Sequence, residues 1–582
     1  MDAEQMTAMR PNPVTVEVVR NAINAYADEM ATALCKSAYN MMIFEVRDFC
    51  CGLIDGEGRM ISQNKGGLPI FLADLGIAVK DGIARYGLDG FAPGDVVIMN
   101  HGLVCGQHLN NVVIYAPCFH DGKVVAFAAS RAHWVDIGGM RVGFGSVETT
   151  EIYQEGLQFR SLKIYEAGKR NDTLWQIIND NLRFPEAALG DLRAQVACCQ
   201  LGVRRLGELM ERYGRATVEA AIHAVWDATD REVRAFIAAI PDGSYQAESF
   251  LDNDGRSLDV TLRIKVKVIV AGDRMVVDFS EVNDQVPGPT NSGYSGGLAA
   301  ARVAFKNLTL PEAPVNEGCF RALELVLPEG KILNAKWPAA LGLWSIPLPT
   351  VIDTILKALA DALPERIPAA HKGDMGGCSI GGFRPDGRRF LLMNIFGGGW
   401  GGRPHEDGES ASVSICQGDV RSAPIELQEI QYPFLIERFA LRADSGGAGE
   451  HRGGLGVDLT YRALQKSVAN VNCERTKDPP WGLHGGRPGA VNEAVLTRRD
   501  GSTQPLSKAT GVALEPGDRL TFRTAGGGGW GDPRRRERTA IERDIAAGYV
   551  SLEAARRDYG YPDPPAQAGE GREEASAAGE GA

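Results

Sequence analysis

Four kinds of segment in this chain carry residue types suited to chemistry. NHGLVCGQHLNN, at 100–111, holds His101, His108 and Asn111, and SRAHWVDIGGM, at 130–140, holds Arg131, His133 and Asp136. His108 and Asn111 are three positions apart, as are His133 and Asp136. Two such pairs on adjacent loops could surround one divalent ion, with His101 as a further imidazole, and imidazole with carboxylate suits zinc, manganese or iron(II). Asn is a neutral ligand, so the set is short of negative charge. The same spacing also suits a hydrogen-bonded His133–Asp136 pair that shapes the Ile137-Gly138-Gly139 turn, and both readings stand.

The third segment, FEVRDFCC at 44–51, sets Glu45, Arg47 and Asp48 beside a strand start. Glu45 or Asp48 could serve as a general base or an added ligand, with His133 as a further acid/base candidate; the alternative is an ion-paired loop. The fourth is a set of glycine clusters, GDMGG (373–377), FGGGWGGRPHEDG (396–408), DSGGAGEHRGGLG (444–456) and TAGGGGWGDP (524–533). Turns carrying Arg403, His405 and Arg452 could hold a substrate or anionic group through backbone amides and guanidinium forks, with Arg131 as another candidate. Glycine equally permits tight crossings of packed loops. None of the clusters matches GxxxxGK[ST], and no nucleotide loop is expected. Ser130, three before His133, lacks an orienting third member, so a serine nucleophile is not expected either.

The elements that must position these residues follow from periodicity. Val16, Val19, Ile23, Tyr26 and Met30 recur at three- and four-residue steps, an amphipathic helix over 13–40 opened by Pro13 and Thr15. A short hairpin turns at DGEGR (55–59), 70–86 is helical, and strands are expected at 96–100, 112–119 and 124–129. Long helices fill 173–239, antiparallel strands 245–279, and helices 298–308 and 348–363. A glycine-rich β region with strands at 390–395, 429–442 and 457–463 runs to about 535, followed by one amphipathic helix over 538–559. The expected fold is α+β and multidomain, with mixed and antiparallel sheets. Its divisions are 1–240 (candidate metal site and long helices), 241–368, 369–535 and 536–582, the last ending in a disordered Ala/Gly/Glu-rich tail.

Composition narrows the class. The 582 residues carry a net charge of −12, which excludes the basic stripe that nucleic acid requires. No apolar run reaches membrane-spanning length and the N-terminus lacks a secretory pattern, so the expectation is a cytoplasmic protein. The 11 cysteines include no CxxC pair and read as buried thiols of a reducing compartment.

The ordered segments resemble the hydantoinase B/oxoprolinase family. The matching stretches are RDFCCGLIDGEGRMISQ (47–63), GDVVIMNHGLVCGQHLNN (94–111), FAASRAHWVDIGGM (127–140), RFPEAALGDLRAQVAC (183–198), VDFSEVNDQVPGPTNSGY (277–294) and PVNEGCFRALELVLPEG (314–330), with the last two glycine clusters and AAGYVSLEAARRDYG (546–560). This resemblance implies the B subunit of an ATP-dependent hydantoinase or lactamase, related to the metal-bearing subunit of acetone and acetophenone carboxylases. It implies a partner A subunit that holds ATP, phosphorylation of the substrate at that partner, and a small cyclic amide as substrate. The runner-up is an ATP-dependent ketone carboxylase, and a third reading is a scaffold for the A subunit. The family's metal motifs, HLxD and AHxxDIGG, match at His108, His133 and Asp136. Asn111 stands where the HLxD carboxylate belongs, Trp134 where a second His is common, Gly67 and Phe71 within a segment that elsewhere bears His, and His101 where Asp is frequent. Exchanging a carboxylate for an imidazole leans the implied divalent metal toward zinc.

Overall fold

The computed structural model describes residues 12–562 apart from 73 and 144; the expected tail from 564 onward lies outside the described residues. Helix α1 (Pro13–Ser37) buries Val19, Ile23, Ala27, Met30 and Leu34, a stripe at three- and four-residue steps. Its cap is Asn12, whose side chain accepts from the Val14 N–H, rather than Thr15. A one-turn helix, α2 (Met41–Phe44), leads into β1 (Phe49–Asp55), which turns back as β2 (Met60–Gln63). Asp55 Oδ1 accepts from the Glu57 and Arg59 N–H groups, and this Asx turn sets the hairpin. After α3 (Asp74–Tyr86) come β3 (Val96–Met99), β4 (Asn111–His120), β5 (Lys123–His133), β6 (Leu162–Glu166) and β7 (Lys169–Arg170). They form one antiparallel sheet in the order β2-β1-β5-β4-β3-β6-β7.

The predicted helical stretch is α4 (Asp172–Asn181), α5 (Pro185–Tyr213) and α6 (Arg215–Ile237). Helix α5 lies across β4 and β5 and against α1. Gly202 makes that crossing possible, because a Cβ there would sit 2.8 Å from the Ala128 Cβ and 2.4 Å from the Met30 sulfur. A second sheet, β11-β10-β9-β8, is built from β8 (Gly243–Leu251), β9 (Leu262–Ala271), β10 (Arg274–Asp278) and β11 (Leu323–Val326), with only β10 and β11 parallel. Helices α7 (Tyr294–Thr309) and α8 (Pro347–Ala358) pack together, and α8 lies on β8 and β9. One buried apolar cluster runs without interruption from Val19 to Ala423.

The glycine-rich region holds β12 (Gly377–Phe383), β13 (Arg389–Ile395), β14 (Phe434–Leu441), β15 (Val457–Ala463), β16 (Ser467–Asn472), β17 (Glu493–Thr497), β18 (Thr503–Leu506), β19 (Lys508–Leu514) and β20 (Arg519–Arg523). They make two sheets, β13-β12-β16-β19 and β14-β15-β20-β17-β18, around a second apolar core. The fold is α+β with mostly antiparallel sheets. Two expected elements differ. The 429–442 strand begins only at Phe434, because α9 (Ile425–Gln431) occupies its first part, with Glu429 Oε1 accepting from the Ile436 N–H. The 538–559 helix is two, α10 (Arg538–Ala546) and α11 (Leu552–Tyr559), broken at Gly548 with φ +72° and restarted by the Ser551 cap. Among the described residues no helix is long and apolar enough to cross a membrane.

Candidate active site

The order β1-β5-β4 fixes the centre of the site. Phe49 pairs with Ala132 and Asn111 with His133, so Asp48, His133 and Asn111 fall in a row across three neighbouring strand ends. The His133 N–H donates to the Asp48 carbonyl at 3.1 Å, and the Asn40 side chain donates to the His133 carbonyl at 3.0 Å. Asn40 is itself anchored, since Asp191 Oδ1 on α5 accepts from the Tyr39 and Asn40 N–H groups. His108 arrives on the turn before β4, closed by the Asn111 N–H on the His108 carbonyl. Its ring meets that of His133 edge to face, with centroids 5.0 Å apart.

Asp48, His108, Asn111 and His133 line one cavity that opens to solvent. Its opposite wall is Gly342–Ile346, with Met375, Gly377, Ile395 and Asn472 from the ends of the glycine-rich sheet. Burial pushes the Asp48 carboxyl up to about 7, with the Arg131 guanidinium opposing. Burial also pulls His133 down to about 4, and holds His108 well below its usual value with His133 and Arg131 adding to the effect. Both imidazoles are therefore neutral at pH 7, the form that ligates metals or takes up protons. Arg131 is buried on β5 with its guanidinium 4.7 Å over the Phe71 ring.

The other sequence candidates lie elsewhere. Asp136 is buried but faces the start of α5, where it accepts from the Arg183 backbone N–H (2.8 Å) and pairs with the Arg183 guanidinium (2.9 Å). The His133–Asp136 hydrogen bond considered for the turn is replaced by this ion pair. His101 precedes the Gly102–Cys105 turn without a side-chain capping bond and stacks on Trp337 at 4.8 Å, outside the cavity. Glu45 follows the one-turn helix, lies near Cys35 and does not line the cavity. Trp134 points into the core, where its indole N–H donates to Gln195. Arg403 pairs with Glu406 and Glu409, exposed His405 with Glu365, and buried Arg452 with Asp544 and Asp407. None of those three lines the cavity.

The sequence holds two GxSxG matches, Gly293–Gly297 and Gly377–Gly381. Neither is a nucleophile elbow. Ser295 donates to the Cys105 carbonyl inside the core, and Ser379 lies within β12, accepting from Asn470. Glu155, Gly342 and Trp344 were not foreseen, because only the chain's tertiary crossing brings 155 and 342–344 to the strand ends.

Residues 12–533 match the hydantoinase B/oxoprolinase family. The chain belongs to that family. The caprolactamase subunit beta of Pseudomonas jessenii is 32% identical to this family member over 561 residues, covering 94% of this chain and 96% of the relative. The solved ATP-dependent caprolactamase from the same organism superposes with a TM-score of 0.90 at 30% identity, over 95% of this chain and 97% of that one. A nucleotide-free acetone carboxylase shares the fold, with a TM-score of 0.87 at 18% identity over 94% of this chain and 79% of that one.

The family resemblance implies a metal, and the donor chemistry fits one. Asp48 Oδ1 is a buried oxygen without a hydrogen-bond partner, and Asn111, beside the His108 ring, lines the same cavity with it and two neutral imidazoles. Among the described residues no three His, Cys, Asp or Glu side chains already form a closed metal-holding array.

Proposed function

We propose that this chain is the B-type subunit of an ATP-dependent enzyme that hydrolyses a cyclic amide, a lactam or hydantoin, activated by phosphorylation at an A-type partner. The observation that carries this reading is the convergence of Asp48, His108, Asn111 and His133 in one cavity, on a fold shared along its length with a caprolactamase. The name of that relative's chain, subunit beta, supports a partner subunit.

A ring amide resists water until its carbonyl is activated; phosphorylation of the oxygen makes the carbon electrophilic. Asp48, with a pKa near 7, is matched to accept a proton from the attacking water at neutral pH. His108 and His133, with the Asn111 carbonyl oxygen, would hold a divalent metal; when bound, it lowers the pKa of a water and polarises the substrate. The walls at Ile70, Phe71, Trp344 and Ile346 limit the access of bulk water, which strengthens the electrostatics inside. Glu45 has no part in this step.

The test is reconstitution with the A-type subunit, ATP and a panel of lactams and hydantoins, following ring opening and ADP release together. His133→Ala is expected to lower turnover at least about 100-fold while the complex stays assembled on gel filtration. Incorporation of labelled bicarbonate into a ketone in place of ring opening would assign the carboxylase reading. Full turnover by the assembled variant would leave only a scaffold.

A further inference from the structure

Beside His108 and Gly342 lies a second cavity, open to solvent, that shares those two residues as a common wall with the first. Its remaining lining comes from Leu109 and Asn110, from seven residues of the 139–149 loop, and from Gln154 and Glu155. One oxygen of Glu155 is fully used: Oε1 accepts from the Leu341 N–H (2.9 Å), the Gly342 N–H (2.8 Å) and the Thr149 hydroxyl (3.0 Å). Those bonds anchor the segment that walls the first cavity. The other oxygen, Oε2, is buried and has no hydrogen-bond partner. The nearby cation is taken, because the Arg141 guanidinium is clamped on Glu148 at 2.5 and 2.8 Å. A buried carboxylate oxygen without a hydrogen-bond partner, in a residue that lines a cavity and with the local cation engaged elsewhere, is costly unless a ligand supplies the charge or the donor.

We propose that this second cavity is a subsite for an amine or ammonium group, with Glu155 Oε2 as its anchor. A protonated amine offers three N–H donors to an acceptor-only carboxylate, and a charge-assisted bond of this kind is about twice as strong as a neutral one. Burial raises the Glu155 carboxyl to about 7, which agrees with an anion that lacks a counter-charge. The proposal rests on the cyclic-amide reading only for the source of the amine. Opening a lactam breaks the C–N bond and releases the ring nitrogen as a primary amine, which a hydantoin would not give, and His108 and Gly342 form the partition between the first cavity and this one. The loop supports such a role, since Gly143 and Gly145 take φ of +86° and +76°, and a Cβ on Gly145 would sit 2.2 Å from Asn472, a wall residue of the first cavity.

The experiment is calorimetry on the full chain at pH 8 with n-butylammonium chloride, and with butan-1-ol as the neutral probe of matching shape. The ammonium is expected to bind at least about tenfold tighter than the alcohol. Glu155→Gln keeps an acceptor for Leu341, Gly342 and Thr149 but puts an NH₂ donor where Oε2 stood, so the preference should vanish. Ser146→Leu, on the cavity wall and outside the Glu155 bonds, should fill the space and remove binding of both probes. Equal binding of the two probes, no binding of either, or undiminished ammonium binding by Glu155→Gln would overturn the proposal. If Glu155→Gln fails to fold, Ser146→Leu decides, since unchanged ammonium binding there overturns it equally. Neither ATP nor the partner is needed, so the outcome is separate from the ring-opening assay. Ammonium binding without ring opening keeps the subsite and removes the lactam assignment, and the reverse result does the opposite.

Discussion

Asp191→Asn should stabilise the protein at pH 8 and lose that advantage at pH 5. Asp191 is fully buried on α5, and burial raises its carboxyl to about 7 from an ordinary 3.8, with the Tyr39 and Asn40 N–H groups opposing. The folded state thus holds the proton more tightly than the unfolded chain. Its contribution is favourable below about pH 4, and stability is lost as pH rises from there to about 7. A shift of about three units corresponds to ~4 kcal/mol of destabilisation at pH 8, and to ~1.5 kcal/mol at pH 5. Asn presents the same Oδ1 to Tyr39 and Asn40. Its NH₂, however, takes the place of Oδ2, which has no partner, and a buried unsatisfied donor costs ~1–3 kcal/mol.

The unsatisfied donor costs the same at both pH values, so the comparison cancels it and leaves a difference of ~3 kcal/mol from ionisation alone. Differential scanning calorimetry of wild type and Asp191→Asn at the two pH values measures this. The variant should melt above wild type at pH 8, and at or below it at pH 5. An identical shift in Tm at both would show that Asp191 ionises near its ordinary value and refute the burial argument. Because Asp191 fixes Asn40, and Asn40 fixes the His133 carbonyl, the cavity should be unchanged in the variant.

Three further outcomes follow from the same geometry. Asn111→Asp restores a carboxylate beside two neutral imidazoles and should tighten divalent-metal binding at least about tenfold, read as zinc retained after dialysis by elemental mass spectrometry; unchanged retention counts against the ligand set. Arg183→Ala strands the buried Asp136 carboxylate and should cost ~3–5 kcal/mol, seen as a lowered Tm that Asp136→Asn partly restores. Gly527→Ala would place a Cβ 1.8 Å from the Trp400 carbonyl and should abolish soluble expression, whereas Gly548→Ala, with open space and φ +72°, should cost only ~1 kcal/mol of stability.

Where periodicity governs, the sequence was readable. The stripe of α1 and the strand over 457–463 stand where their spacing puts them. The glycine clusters also read correctly in one of their two senses: Gly399, Gly453 and Gly527 carry backbone against backbone, each with a neighbouring carbonyl within 2.0 Å of where a Cβ would lie. Arg403 and Arg452 beside them are engaged in internal ion pairs. Gly and Arg look alike in a loop that binds an anion and in one that packs, so composition alone could not separate these cases.

The candidate site shows more sharply what spacing can and cannot carry. The i, i+3 rule brings His108 to Asn111 because a turn closes between them, with the Asn111 N–H on the His108 carbonyl. The same rule fails for His133 and Asp136, because His133 is the last residue of β5 and the chain leaves the sheet there, carrying Asp136 to Arg183. Asp48, 85 residues before His133, is the true neighbour, and only the register Phe49–Ala132 reveals it. The remaining wall comes from 342–346, 375–377, 395 and 472, so no single segment contains the cavity. A site assembled in this way exists only once two sheets and the 342–346 segment have closed on one another. Its two neutral imidazoles and its raised carboxyl are products of that closure, since burial is the first cause of all three shifts. Opening the wall at 341–346, by removing the Glu155 carboxylate that holds it, should therefore let water back in and return Asp48 and His133 toward ordinary acidity even though neither residue is touched.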